Sequence, residues 1–138
     1  MIVLGTALGV LAGDVCVKLA LRRYMPAPVR LGRWATVRIS SHPIWVIQAR
    51  PHVSPLGGLL LLSAAIVPLV VVSTIVPNAS PFLGLAVGGA FSNWFEQSVR
   101  GSVTDYVELH FWPAFNLADA AIVCGVLGLG LAAWNAVA

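Results

Sequence analysis

The chain has 138 residues, of which 59% are hydrophobic and only 9% charged, and its mean hydropathy is +0.90. Soluble domains carry about 25% Asp, Glu, Lys and Arg, so a water-exposed globule is excluded and lipid must solvate much of the surface. The net charge of +3 comes from basic residues scattered through an apolar chain, which reads as membrane topology and headgroup contact rather than nucleic-acid binding.

At about 20 residues per helical crossing, the length accommodates four spans with modest loops. The expected fold is therefore an all-α membrane protein, residues 1–138 forming a single integral membrane domain. Span one covers residues 2–21, interrupted by Asp14 and Lys18 and closed by Arg22-Arg23. Its start lacks the basic n-region of a cleavable signal peptide, so it is expected to remain a span. Residues 24–55 form the one sizeable extramembrane piece. Within it Ala35–Ser40 and Ile44–Ile47 are β-prone, which predicts a small sheet between spans one and two.

Span two covers residues 56–76, with Pro68 near its middle, a position that membrane helices tolerate. The uncharged turn Pro77-Asn78-Ala79-Ser80-Pro81 leads to span three, residues 82–99, which becomes polar at Asn93, Glu96 and Gln97. Residues 100–115 read as a shorter loop, and span four covers residues 116–137. Gly5, Gly9, Gly13, Gly84, Gly88, Gly128, Ala132 and Ala136 recur at helical spacing, as close helix packing requires. Cys16 and Cys124 lie in apolar runs and read as small buried hydrophobes.

Alternating spans bring all 13 charged side chains, eight basic and five acidic, to one membrane side. The positive-inside rule would make that side cytoplasmic. Two of those charges carry candidate chemistry. Asp105 lies in the loop before span four and Asp119 lies one turn into it. A fold-back of the loop would bring their carboxyls together near the membrane surface. Two close carboxylates share one proton, and the pair can then act as general base and general acid on a water. Taken singly, Asn116 and Asp119 also fit ordinary capping at a helix start. Ionisable groups at the edge of an apolar bundle are costly, which favours a functional reading.

Three stretches make a resemblance visible: Gly88-Gly89-Ala90-Phe91-Ser92-Asn93, then Arg100-Gly101-Ser102-Val103-Thr104-Asp105-Tyr106, then Phe115-Asn116-Leu117-Ala118-Asp119. Together they resemble the signal peptidase II (lipoprotein signal peptidase) family, and Asp14 and Lys18 look like its Asp-x-x-x-Lys feature. The resemblance implies a bacterial inner-membrane aspartyl endopeptidase of four helices that removes signal peptides from diacylglyceryl-modified prolipoproteins. It implies Asp105 and Asp119 as the catalytic dyad. Asn93, Asn116 and Gln97 would support the dyad or bind substrate, and Asp14 and Lys18 would form a structural polar pair. It implies no metal or cofactor, and it places the active site on the outer face, against the charge rule; a monomer is expected. Arginines on that face would meet phospholipid headgroups or the substrate.

Two departures stand beside the resemblance. Glu96-Gln97 occupies the place of the family's Asp-Arg pair, removing a bidentate donor. Gln48–Val53 lacks the Asn and Gly of the family's Asn-x-Gly-x-Ala-Phe stretch. They keep open a second reading, an inactive or repurposed paralogue that binds lipidated peptides or assists membrane assembly. His42, His52 and His110 do not fall at metal-ligand spacing. The five tryptophans lie mostly near expected interfaces, where aromatic belts account for them.

Overall fold

A computed structural model describes residues 1–42 and 55–138. The β-prone Ile44–Ile47, the Gln48–Val53 departure, Trp45 and His52 all lie outside the described residues. Among the described residues there are four long helices: α1 (Ile2–Tyr24), α2 (Pro55–Ile75), α3 (Ser80–Arg100) and α4 (Leu117–Val137). Local chemistry marks their ends. Arg22 and Arg23 occupy the last turn of α1, where cations offset the helix dipole. Pro81 sits in the first turn of α3, and Gly101 closes that helix in the left-handed region, its amide donating to the Gln97 carbonyl at 2.8 Å. Asn78, also left-handed with φ 60, turns the chain between α2 and α3, a conformation Asn tolerates.

Three of the four helices, α1, α2 and α4, are long and apolar enough to cross a membrane. The expected fourth crossing, α3, is equally a 21-residue helix but does not meet that measure, because its C-terminal half carries Ser92, Asn93, Glu96 and Gln97. Those side chains are buried. The helix turns its polar residues inward, which is the reverse of a soluble amphipathic helix.

Glycines let α3 lie against two neighbours. A Cβ on Gly88 would stand 2.6 Å from the Ala7 carbonyl oxygen of α1. A Cβ on Gly125 of α4 would stand 2.6 Å from the Ala86 amide and the Phe82 carbonyl. Gly84, Gly89 and Gly128 are similarly closed by Thr6, Ala118 and Phe82. These backbones touch as small-residue helix pairs do in lipid. The expected packing glycines Gly5 and Gly9 instead face open space, because α1 presents Thr6 and Ala7 to α3. Ala136 is likewise exposed. Cys16 and Cys124, expected to be buried, are exposed. An outward helix face in an apolar bundle meets hydrocarbon rather than water, and a thiol is acceptable there.

The small sheet expected between spans one and two is present and is larger than expected: among the described residues it is a four-stranded antiparallel sheet in the order β1-β2-β3-β4, so the chain is mostly helical and not all-α. Strands β1 (Val29–Leu31) and β2 (Ala35–His42) come from the loop expected to be β-prone; β3 (Val103–Leu109) and β4 (Trp112–Phe115) come from residues 100–115, read above as a plain loop. Pairing across the two loops is the reason. Ser40 faces Asp105 and Ser41 faces Thr104 in the β2–β3 register, so each segment completes the other's backbone hydrogen bonds.

Candidate active site

The first turn of α4 builds the centre. Asn116 is its N-cap, and the helix starts in a reciprocal capping box. The Asp119 amide donates to Asn116 Oδ1 at 2.9 Å, and the Asn116 amide donates to Asp119 Oδ2 at 3.0 Å. The box leaves the Asn116 amide group free to turn inward. Its Nδ2 lies 3.0 Å from Asp105 Oδ1, 3.1 Å from Asn93 Oδ1 and 3.3 Å from the Thr104 carbonyl oxygen. Asn93 in turn donates from Nδ2 to Asp119 Oδ1 at 2.7 Å. Asp105 and Asp119, 14 positions apart in sequence, are thus both bonded to Asn116, and Asn93 closes the loop between them. Both asparagines are buried, whereas both aspartates are half-buried.

Asp105 reaches this point because the chain reverses within two residues of α3. Gly101 ends the helix, β3 starts at Val103, and the sheet fixes the strand: Ser40 Oγ donates to the Asp105 carbonyl at 3.2 Å. Tyr106, on the same strand, accepts the Leu117 amide at 2.9 Å through its hydroxyl oxygen. That contact satisfies one of the orphan amides at the start of α4. Burial pushes the Tyr106 phenol up to about 12, with smaller contributions from the negative charges of Asp14 and Asp119 against the lowering effect of the Leu117 amide. It is therefore a neutral hydroxyl at physiological pH.

A second layer carries the charges. Lys18 Nζ lies 2.7 Å from Asp14 Oδ2, 2.9 Å from Glu96 Oε2 and 3.3 Å from Asn93 Oδ1. Asp14, fully buried, also accepts from Ser92 Oγ at 2.7 Å and from the Ala118 amide at 3.3 Å. It therefore ties α1 to both α3 and α4. Arg22 pairs with Glu96 Oε1 at 2.7 Å and donates to Thr104 Oγ1. Among the described residues every buried side-chain nitrogen and oxygen has a partner, as a polar cluster inside an apolar bundle requires. Among them, too, no three His, Cys, Asp or Glu side chains gather as metal ligands would.

The structure thus brings together Asp105, Asp119, Asn93 and Asn116, with Asp14 and Lys18 directly behind them. Gln97 is buried on α3 beside Glu96. The sequence names Ser92 and Thr104 only within motif stretches, Glu96 only as a departure and Arg22 only as a charge closing span one, without assigning them to this cluster. A signal for them existed: Asp14, Lys18 and Arg22 are spaced four apart and share one face of α1, and Ser92 and Glu96 share one face of α3. Two carboxyls are thus held on one asparagine, groups of the kind that general acid–base chemistry employs.

Comparison with known proteins adds the following. The family model described as signal peptidase (SPase) II matches residues 6–135 of this chain. A lipoprotein signal peptidase of Xylella fastidiosa is 45% identical over 58 residues, 39% of this chain and 34% of that protein. One of Francisella tularensis subsp. novicida is 33% identical over 73 residues, 49% of this chain and 45% of that protein. The chain therefore spans a third to under half of the length of these curated relatives. Among solved structures, a bacterial membrane enzyme determined by the in meso method superposes with a TM-score of 0.75. That match has 15% identity and covers 96% of this chain and 87% of the other. A second structure of the same description gives 0.74 at 16% identity, over 94% and 90%. At these identities the likeness shows the fold.

Proposed function

The chain belongs to the signal peptidase II family, and from that premise we propose that it is a membrane endopeptidase that removes the signal peptide from diacylglyceryl-modified prolipoproteins. Water is the nucleophile and the Asp105–Asp119 pair activates it. One carboxylate takes a proton from the water as the water oxygen adds to the scissile carbonyl. The other, protonated, gives its proton to the carbonyl oxygen. The tetrahedral gem-diol then collapses: the C–N bond breaks, the leaving amine nitrogen takes up the proton held by the base, and one gem-diol hydroxyl returns its proton to the other carboxylate as the C=O bond reforms. Asn93 and Asn116 hold the two carboxyls in register, Gln97 supports the site from α3, and Asp14 with Lys18 is its structural polar pair. The observation that carries this reading is the placement of both carboxyls on Asn116, at 3.0 Å from its side chain and 3.0 Å from its backbone amide.

In the same reading the chain is a monomer of one integral domain in the bacterial inner membrane. The helix α3 crosses with the other three, its polar face sheltered by α1 and α4. The dyad faces outward, and the exposed arginines on that side meet phospholipid headgroups. Labelling of single cysteines placed in residues 24–55 from the outside supports this orientation; labelling from the cytoplasm alone refutes it. The competing reading, a lipidated-peptide binder without turnover, rests on the Glu96-Gln97 departure. Purified wild type in detergent is expected to release signal peptide from a lipidated prolipoprotein. Asp105→Asn and Asp119→Asn are each expected to lower the rate by about 10²–10⁴-fold with the fold retained. Undiminished turnover by either variant rules out the dyad, and binding without cleavage by folded wild type supports the competing reading.

A further inference from the structure

The last turn of α1 holds two arginines with different fates. Arg23 is exposed. Arg22 turns inward, its side chain only 25% exposed, and reaches the corner where α3 hands over to β3. We propose that Arg22 is a positioning residue for the Asp105 carboxyl, acting through Glu96 and Thr104; this rests on the peptidase reading above.

Thr104 immediately precedes Asp105, and it is held from four directions. Its amide donates to Glu96 Oε2 at 3.1 Å and its hydroxyl donates to Glu96 Oε1 at 2.7 Å. Its carbonyl accepts from Asn116, and its hydroxyl oxygen accepts from Arg22. Glu96 is thus the anvil on which the start of β3 is set, and Arg22 grips Glu96 and Thr104 together. A guanidinium suits this task, since its rigid array of donors serves two acceptors in a fixed geometry. The sheet holds the backbone here, with Ser41 opposite Thr104 and Ser40 bonded to the Asp105 carbonyl, and the grip of Glu96 and Arg22 adds the hold on the Thr104 side chain.

Lys18 cannot replace Arg22. Its ammonium already serves Asp14, Glu96 and Asn93, and it has three donors in all. The charge balance agrees. Around the dyad, α1 contributes Asp14, Lys18 and Arg22, α3 contributes Glu96, and β3 adds the neutral Tyr106. Among the described residues, two cations here face two anions beside the pair Asp105 and Asp119. Without Arg22, Lys18 alone faces Asp14 and Glu96, a charge deficit that favours rotation or neutralisation of a carboxyl. Thr104 loses the guanidinium on its hydroxyl oxygen, and the residue before Asp105 is held less rigidly. A displacement of about 1 Å at a reacting group is enough to cost about 10²-fold in rate.

The test compares wild type, Arg22→Gln, Thr104→Val and Thr104→Ser in detergent on a lipidated prolipoprotein, with thermal unfolding followed on the same samples. Arg22→Gln and Thr104→Val are each expected to lower kcat about 10- to 100-fold while KM stays within about twofold. Thr104→Ser, which keeps the hydroxyl, is expected to recover kcat to within about threefold of wild type. Unchanged kcat in folded Arg22→Gln overturns the proposal. So does a loss of kcat that only follows the unfolded fraction, with Thr104→Ser no better than Thr104→Val. Should Arg22→Gln fail to fold, the threonine pair decides. Folded wild type without turnover overturns the peptidase reading first and this proposal with it, whereas active wild type with unaffected variants overturns this proposal alone.

Discussion

At one end of the bundle, Ala79, Leu83 and Leu129 form a buried core, with Val3, Leu69, Val76, Phe82 and Val87 packed around it. At the other end, Asp14, Lys18, Asn93, Glu96, Thr104 and Asn116 are just as buried, yet they are joined by ion pairs and hydrogen bonds. The first end is built by shape. Lipid offers no hydrophobic drive for helices to associate, so glycines that admit backbone contact carry the packing. The second is built by direction. Each polar group there is costly in an apolar surrounding unless its partners stand at fixed angles. The pairing of the two suggests a division of labour. The shaped end sets the helix axes, and the directed end, on axes already set, holds two carboxyls without closing them off.

Substitutions that address one end at a time break or sharpen this division. The largest effect is expected from Gly88→Val, which drives a branched side chain into the Ala7 backbone. Overpacking of this kind costs about 1–3 kcal/mol or more, so the unfolding temperature in detergent should fall and activity should fall with it. Gly88→Val with wild-type stability would break the account of the apolar end.

A smaller effect, confined to the polar end, is expected from Tyr106→Phe. The folded phenol titrates near 12 instead of near 10. The unfolded chain therefore gives up this proton first, and stability contributed by the neutral phenol is complete below pH 10 and lost as pH rises toward 12. A shift of two pKa steps corresponds to roughly 2–3 kcal/mol. Tyr106→Phe should lose about 1 kcal/mol at neutral pH with the Leu117 contact, and should flatten the fall between pH 10 and 12. An unaltered alkaline slope in the variant contradicts the assignment. The smallest effect is expected from Gly9→Ala. Gly9 faces open space, and Ala is the better helix former by at most about 1 kcal/mol. Its unfolding temperature should match or slightly exceed that of wild type, in contrast to Gly88→Val.

The sequence made the spacing of chemistry legible and left its orientation hidden. Asp105, Asn116 and Asp119 could be read because a helix start fixes what stands one turn inside it. The Asn116–Asp119 capping is present as a reciprocal box, and that box fixes where the Asp119 carboxyl sits. The hairpin of β3 and β4 escaped because its partner strand β2 lies more than 60 positions away, and such pairing has no local signature. The inner faces of α4 and of the N-terminal half of α1 escaped because a helical stretch apolar on all sides has no stripe to mark its inner surface. That is why Gly5, Gly9 and Cys124 were assigned inward. Gln97 read as a missing guanidinium on α3. In the fold a guanidinium reaches the neighbouring Glu96 from α1, as Arg22, whose charge alone could not be told from that of Arg23.

The central claim is that Asp105 and Asp119 together cut one bond of a lipidated precursor. Its most direct test is mass spectrometry of the products after folded chain is incubated with a diacylglyceryl-modified prolipoprotein. The account predicts a single cut immediately before the lipidated cysteine, present with wild type and lost with Asp119→Asn. Cleavage elsewhere in the precursor, or the same product at the same rate from Asp119→Asn, would contradict it.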